Sequence, residues 1–189
     1  MNYTVLPSGY RRIGGVDLLQ DRRSMLIVNL GAIVIALLLL LLGLRLHPFR
    51  FSIRSMPSFL LWFFLLLGGL VLYIILHELI HGIFMRHYSG LHPRYGFNGL
   101  YAYAGSDAFF DRKSYLVISL APVVLLGAVL LLLCALLPSS LFWFFYLLQI
   151  QNLSGAAGDL YLCLLLQKMP ADLLIRDSGV AMEFYSAES

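Results

Sequence analysis

From Ser114 to Gly158 the chain runs without a single Asp, Glu, Lys or Arg. As one helix this stretch would extend about 67 Å at 1.5 Å per residue, more than twice the roughly 30 Å hydrocarbon core of a bilayer. It is therefore expected to turn back once, and Pro138-Ser139-Ser140 offers the turn chemistry. Two earlier apolar runs, Met25–Leu44 and Pro57–Met85, bring the expected number of spans to four, with approximate bounds 25–46, 57–85, 114–137 and 141–167. A chain that is 60% hydrophobic and 12% charged is excluded from the ordinary soluble domains. The expected fold class is an all-α integral membrane protein with four transmembrane helices. It divides into an N-terminal segment (1–24), a membrane domain (25–168) and a tail (169–189).

Arg11, Arg12, Arg22 and Arg23 precede the first run, but that run is too long for a signal-peptide core and no small-x-small cleavage site follows it. Arg45, Arg50 and Arg54 fall between spans one and two. Arg86, Arg94, Arg112 and Lys113 fall between two and three, and Lys168 and Arg176 follow the fourth. Ten basic residues therefore collect on one side against three on the other, so both termini are expected in the cytoplasm. The basic residues bracket apolar runs, which argues against a nucleic-acid partner and for a lipid bilayer. Cys134 and Cys163 form no CxxC pair, so neither a disulfide framework nor a cysteine zinc site is expected. Between spans two and three, Asn98-Gly99 separates two short aromatic-rich segments, the signal of a type I′ β-hairpin on the cytoplasmic side. A free hairpin edge invites an extended partner segment. In the tail, Val180–Tyr185 has strand character.

The second apolar run ends in IILHELIHGIF, Ile74–Phe84. An ionisable side chain at a bilayer centre costs about 2.5–3.5 kcal/mol, and here three stand within five residues. His77-Glu78-Leu79-Ile80-His81 is an HExxH motif. Residues four apart share a helical face, so both imidazoles can converge on one Zn²⁺, with Glu78 beside them as general base. The bland alternative, a metal-free histidine cluster between helices, explains two polar residues more easily than three.

Two histidines need a third ligand. His87 lies where metzincins place theirs, but Phe84 stands where that pattern has its turning Gly. On a continuous helix His87 points about 240° away from His81. His92 in the loop and Glu183 and Glu188 in the tail would need special folding. Asp159 is the better candidate, because it is the only acidic residue besides Glu78 within an expected span. It lies nine residues before Lys168 as His77 lies nine before Arg86, so both sit about 13 Å from the same side. Asn152 falls near the Asp159 face of a regular helix and is a candidate for binding substrate or an oxyanion. The small residues of SGAAG (Ser154–Gly158) suit either close helix packing or close approach of a peptide backbone. Tyr73 and Cys163 read as packing residues.

HELIHG in a membrane helix, a hairpin-bearing loop, SLAP (Ser119–Pro122), N…GD in the last span and MPADLLIRDSG (Met169–Gly179) together resemble a family of small bacterial membrane proteins. That family was first catalogued as a domain of unknown function and is described as putative zincin peptidases. More distantly, the layout is similar to the site-2 proteases, whose HExxH helix is completed by an aspartate from a later span. The resemblance implies His77, His81 and Asp159 as zinc ligands, Glu78 as catalytic base, and Asn152 as a loose counterpart of the site-2 asparagine. The chain departs from the site-2 pattern in having Leu160 after the aspartate and in lacking an NPxP-like turn.

The expected function is zinc-assisted hydrolysis of peptide bonds in membrane or membrane-adjacent protein segments by a multi-pass bacterial plasma-membrane protein. The alternative is a non-catalytic protein whose zinc staples its spans and which binds a partner. A metal transporter would want ligands spaced along a pathway, and the sequence has one cluster. Glu78, which a staple does not need, favours the enzyme.

Overall fold

The computed structural model describes residues 1–17, 20–48, 56–99 and 101–187. Arg50, Arg54 and Glu188, weighed above for orientation and ligation, lie outside the described residues.

Most of the chain is helical. α1 (Arg22–Leu46), α2 (Met56–Ser89) and α3 (Arg112–Leu136) are each long and apolar enough to cross a membrane. The most hydrophobic window of α1 is not buried inside the protein at all, and that of α2 barely. Side chains such as Leu38, Leu41, Phe64 and Leu72 therefore face outward, which suits a lipid surround and would be untenable in water. The run expected as one fourth span, 141–167, is broken. A 3₁₀ turn at Ser139–Leu141 leads into α4 (Phe142–Gly155), and α5 (Ala157–Leu166) follows after Ala156. The Ser154 hydroxyl bonds back to the Ile150 carbonyl (2.7 Å) just before the break, a contact that loosens helix ends. The break puts Asp159 in the first turn of α5, where a helix N-terminus favours a carboxylate.

The all-α expectation, which allowed one hairpin and a strand in the tail, is corrected at the polar end by a four-stranded sheet. β1 (Arg11–Val16), β4 (Phe109–Asp111), β5 (Leu174–Asp177) and β6 (Met182–Ser186) form one antiparallel sheet in the order β1-β6-β5-β4. Segments from the start, the middle and the end of the chain thus meet at one end of the bundle. A second pair, β2 (Arg94–Phe97) and β3 (Ala102–Gly105), is also antiparallel. Phe97 pairs with Ala102, so the connection has four residues rather than the two of a type I′ turn. Within it, Gly99 takes φ +93°, and Asn98 Oδ1 accepts from the Tyr101 amide (3.0 Å).

The main core lies where sheet meets helices. Phe110, Leu173, Ile175 and Phe184 pack on Met85 of α2, Tyr115 and Ile118 of α3, and Leu162 and Leu166 of α5. Burying each large side chain contributes about 1.5–3 kcal/mol, so this cluster fixes α2 and α5, which carry the candidate ligands, together with α3 beside them. α1 stands apart from it. Its Asp21 cap bonds the Arg23 amide (3.0 Å) and the Ser24 hydroxyl, and Ser24 meets the Tyr161 hydroxyl of α5 (2.9 Å). Near its other end, Gly43 lies against the Tyr146 ring of α4, whose hydroxyl donates to the Leu39 carbonyl (2.7 Å). A Cβ at position 43 would come within 2.3 Å of that ring.

Candidate metal centre

α2 presents His77 and His81 on one face, and α5 brings Asp159 against them. The two Nε2 atoms are 3.1 Å apart. Asp159 Oδ2 lies 3.5 Å from His77 Nε2, and its Oδ1 lies 3.7 Å from His81 Nε2. Both histidines are buried, while Asp159 keeps 21% of its side chain exposed.

The opposite ring nitrogens decide what these atoms can do, and α3 controls both. Pro122 sits inside α3 and has no N–H, so the Ile118 carbonyl loses its helical partner. His81 Nδ1 lies 2.9 Å from that carbonyl. A carbonyl only accepts, so Nδ1 carries the proton and donates it. For His77 the chain is longer. The Val123 carbonyl accepts from Asn152 Nδ2 (3.0 Å), which turns Asn152 Oδ1 toward Tyr73. The Tyr73 hydroxyl donates to that oxygen (3.1 Å), leaving its own lone pair for His77 Nδ1–H (3.0 Å). Each Nε2 is therefore left with a lone pair facing the other, an arrangement tolerable only with a proton or a cation between them. The 3.1 Å between the Nε2 atoms and the 3.5 Å from His77 Nε2 to Asp159 Oδ2 lie either side of the roughly 3.3 Å edge of a tetrahedron with ligand bonds of about 2.0–2.1 Å, and the second carboxylate oxygen stands 3.7 Å from His81. Two imidazoles and one carboxylate are also a donor set that zinc takes in hydrolytic sites. His77, His81 and Asp159 therefore fit a divalent cation, with Ser119 steadying the carboxylate through a 3.3 Å contact to Oδ1.

These ligands line a cavity of about 630 Å³. Glu78 is half-buried on its wall and faces the backbone N–H of Ala104 in β3. Gly82 lets the Tyr95 ring of β2 lie directly on α2, because a Cβ there would be 2.0 Å from the Tyr95 hydroxyl. The tail reaches the same cavity through Asp177, Gly179, Val180 and Met182. Burial pushes the Asp177 carboxyl up from its ordinary pKa. It accepts from the Tyr115 hydroxyl (2.6 Å) and the Gly179 amide (2.8 Å). Outside the cavity, hydrogen bonds from Arg176 (3.0 Å) and Arg94 (2.8 Å) hold the Asp107 carboxyl below its ordinary pKa and tie β2 to β5.

The other sequence candidates fall elsewhere. α2 runs unbroken to Ser89, so His87 is exposed away from the site, and His92 is exposed in the loop. Glu183 faces Arg12 and Arg176 in the sheet. Asn152, expected to contact substrate, is fully buried with both ends of its carboxamide engaged, so its influence runs through Tyr73 to His77. Gly127 leaves it that room, since a Cβ there would be 2.8 Å from Nδ2. The orienting roles of Tyr73 and Pro122 escaped the sequence reading, although Tyr73 stands one helical turn from His77.

Among known proteins, the chain is 30% identical over 119 residues to an uncharacterized 24.7 kDa protein in the gap 5′ region of Pyrococcus woesei. The match covers 60% of this chain and 51% of that one, so the chain spans about half the length of the curated relative it matches. No solved structure matches. The family described as putative zincin peptidase matches residues 70–174, more than half of the chain, and takes in both halves of the ligand set. With the zinc implied by that family and the three-ligand site just described, the chain belongs to the putative zincin peptidase family.

Proposed function

We propose that this chain is a membrane-embedded zinc metalloprotease of the site-2 type, cutting membrane or membrane-adjacent protein segments. The observation that carries the reading is the commitment of both Nδ1 atoms elsewhere, His77 to the Tyr73 hydroxyl and His81 to the Ile118 carbonyl, which leaves two Nε2 lone pairs and the Asp159 carboxylate converging beside Glu78. When bound, zinc lowers the pKa of a water ligand to about 7 and polarises the scissile carbonyl. Glu78 takes up the proton as general base and delivers it to the leaving amine. Tyr73, Asn152 and the Ile118 carbonyl hold the imidazoles in the ligating tautomer, and Ser119 holds Asp159. The cavity beside the ligands leaves room for substrate, unlike a closed structural site. In this reading the chain crosses a plasma membrane four times, α4 and α5 making the last crossing together, with both termini in the cytoplasm.

The test uses purified protein in proteoliposomes with a transmembrane peptide carrying a central Gly-Pro. Glu78→Gln is expected to keep its zinc and lose at least about 10²-fold in cleavage. Asp159→Ala is expected to lose the metal. Cleavage by Glu78→Gln at the wild-type rate would end the mechanism.

A further inference from the structure

The metal cavity has two carboxamides on its wall, Asn29 and Gln151, that take no part in holding the metal. α1 leans on α4 and α5 rather than on α2, and the cavity extends into the cleft between them. Met25, Val28 and Asn29 line it from α1, Tyr73 and Ile74 from α2, and Gln151 and Gly155 from α4. Asn29 interrupts an otherwise apolar stretch of α1, and Gln151 folds over Gly155, whose Cβ would meet Nε2 at 2.7 Å. Neither carboxamide has a hydrogen-bond partner among the described residues. Unpaired carboxamides are costly in an apolar surround and need a polar occupant facing them.

We propose that Asn29 and Gln151 bind the backbone of an extended peptide lying in this cleft. The inference rests on the protease reading of the same site. A carboxamide offers both a donor and an acceptor, so it pairs with a peptide unit whatever the side chains are. Only an unwound segment has amides to offer, because in a transmembrane helix they are already paired. The spacing suits such a ligand. Asn29 lies about 10 Å along α1 from Arg22, and Asp159 lies about 10 Å along α5 from Leu166, at the end of the bundle where Ser24 meets Tyr161. Gln151 lies about 12 Å deeper than Asp159, the reach of roughly four extended residues. The two amides thus span a stretch that starts at the depth of Asp159 and runs deeper along the cavity that the metal ligands and Glu78 also line. They select substrates by loss of helix rather than by sequence.

The experiment uses zinc-loaded protein in nanodiscs and three probes: acetohydroxamate, tetraleucine hydroxamate, and the same tetrapeptide with N-methylated backbone amides. Asn29→Leu and Gln151→Leu are each expected to weaken tetraleucine hydroxamate about threefold to tenfold. Zinc content and acetohydroxamate affinity stay unchanged, which also reports that the variants fold. The wild-type protein, needing no variant, is expected to bind the N-methylated probe more weakly than the parent peptide. Equal affinity of tetraleucine hydroxamate for wild type and both variants, or of the two peptides for wild type, overturns the backbone-binding role while leaving the metal site intact. A wild-type protein that holds no zinc and binds no hydroxamate overturns the protease reading and this inference together.

Discussion

Pro122 removes one hydrogen bond from α3, and the carbonyl it frees is the one that fixes His81. This makes an unusual prediction for a single residue. Pro122→Ala restores an N–H that competes for Ile118, so α3 itself becomes a better helix. The His81 ring then loses its anchor. Zinc affinity, measured by competition with a chelator, is expected to fall about 10- to 100-fold, the usual effect of losing an outer-shell partner, while thermal stability holds or rises. Unchanged zinc affinity would show that the Ile118 contact does not orient the ring. His77, Glu78, His81 and Asp159 were legible in the sequence because each is expensive in an apolar run wherever its neighbours lie. Pro122 and Tyr73 were not, because proline is tolerated in transmembrane helices and a tyrosine fits any of them, so neither points to a site by itself. Their meaning depends on which helix packs opposite, and one sequence does not give that. Asn152 was visible as a polar residue, but its direction was read from an unbroken helix, and the helix breaks at Ala156.

The same distinction governs the elements. Apolar runs of twenty residues announce α1, α2 and α3 directly. The strands do not, for they are three to six residues long and their partners come from opposite ends of the chain. Only β6 and the β2–β3 pair carried a readable signal, and the latter lay in a wider turn than its Asn-Gly suggested. The joint between sheet and helices is where pH should act. Asp177, at the end of β5, is buried and bonded to Tyr115 of α3, and its carboxyl is pushed up. A carboxyl raised in the folded state binds more protons there than in the unfolded chain. Its contribution is therefore full below the ordinary carboxylate range and is lost as pH rises through the raised value. Asp177→Asn keeps the shape and removes the titration. In detergent melts, the variant is expected to lose less stability than wild type as pH rises from about 4 toward neutrality. Parallel pH profiles would place the titrating group elsewhere.

At the scale of the whole molecule, the sheet constrains topology more tightly than charge does. β1 precedes α1, β4 immediately precedes α3, and β5 follows α5, yet all three belong to one sheet. Chain start, middle loop and tail must then occupy the same side of any membrane the helices cross. That demands an even number of crossings between β1 and β4 and again between β4 and β5. α1 and α2 satisfy the first condition. α3 satisfies half of the second, and the return falls to α4 and α5. Neither of these is long enough alone, but in series they reach about 36 Å at 1.5 Å per residue, sufficient for a roughly 30 Å core. The break at Ala156 is therefore compatible with a crossing, and it falls where the Asp159 carboxylate needs a helix start. Single cysteines at Ser8, Ala187 and Ser139, all exposed positions, test this with a membrane-impermeant maleimide. The Ser8 and Ala187 variants are expected to react from the same side, the cytoplasmic one by the excess of Lys and Arg. The Ser139 variant is expected to react only from the other. Labelling of Ser8 and Ser139 variants from one side would mean that α3 does not cross. The cleft between α1 and α2 would then have to open to water instead of lipid.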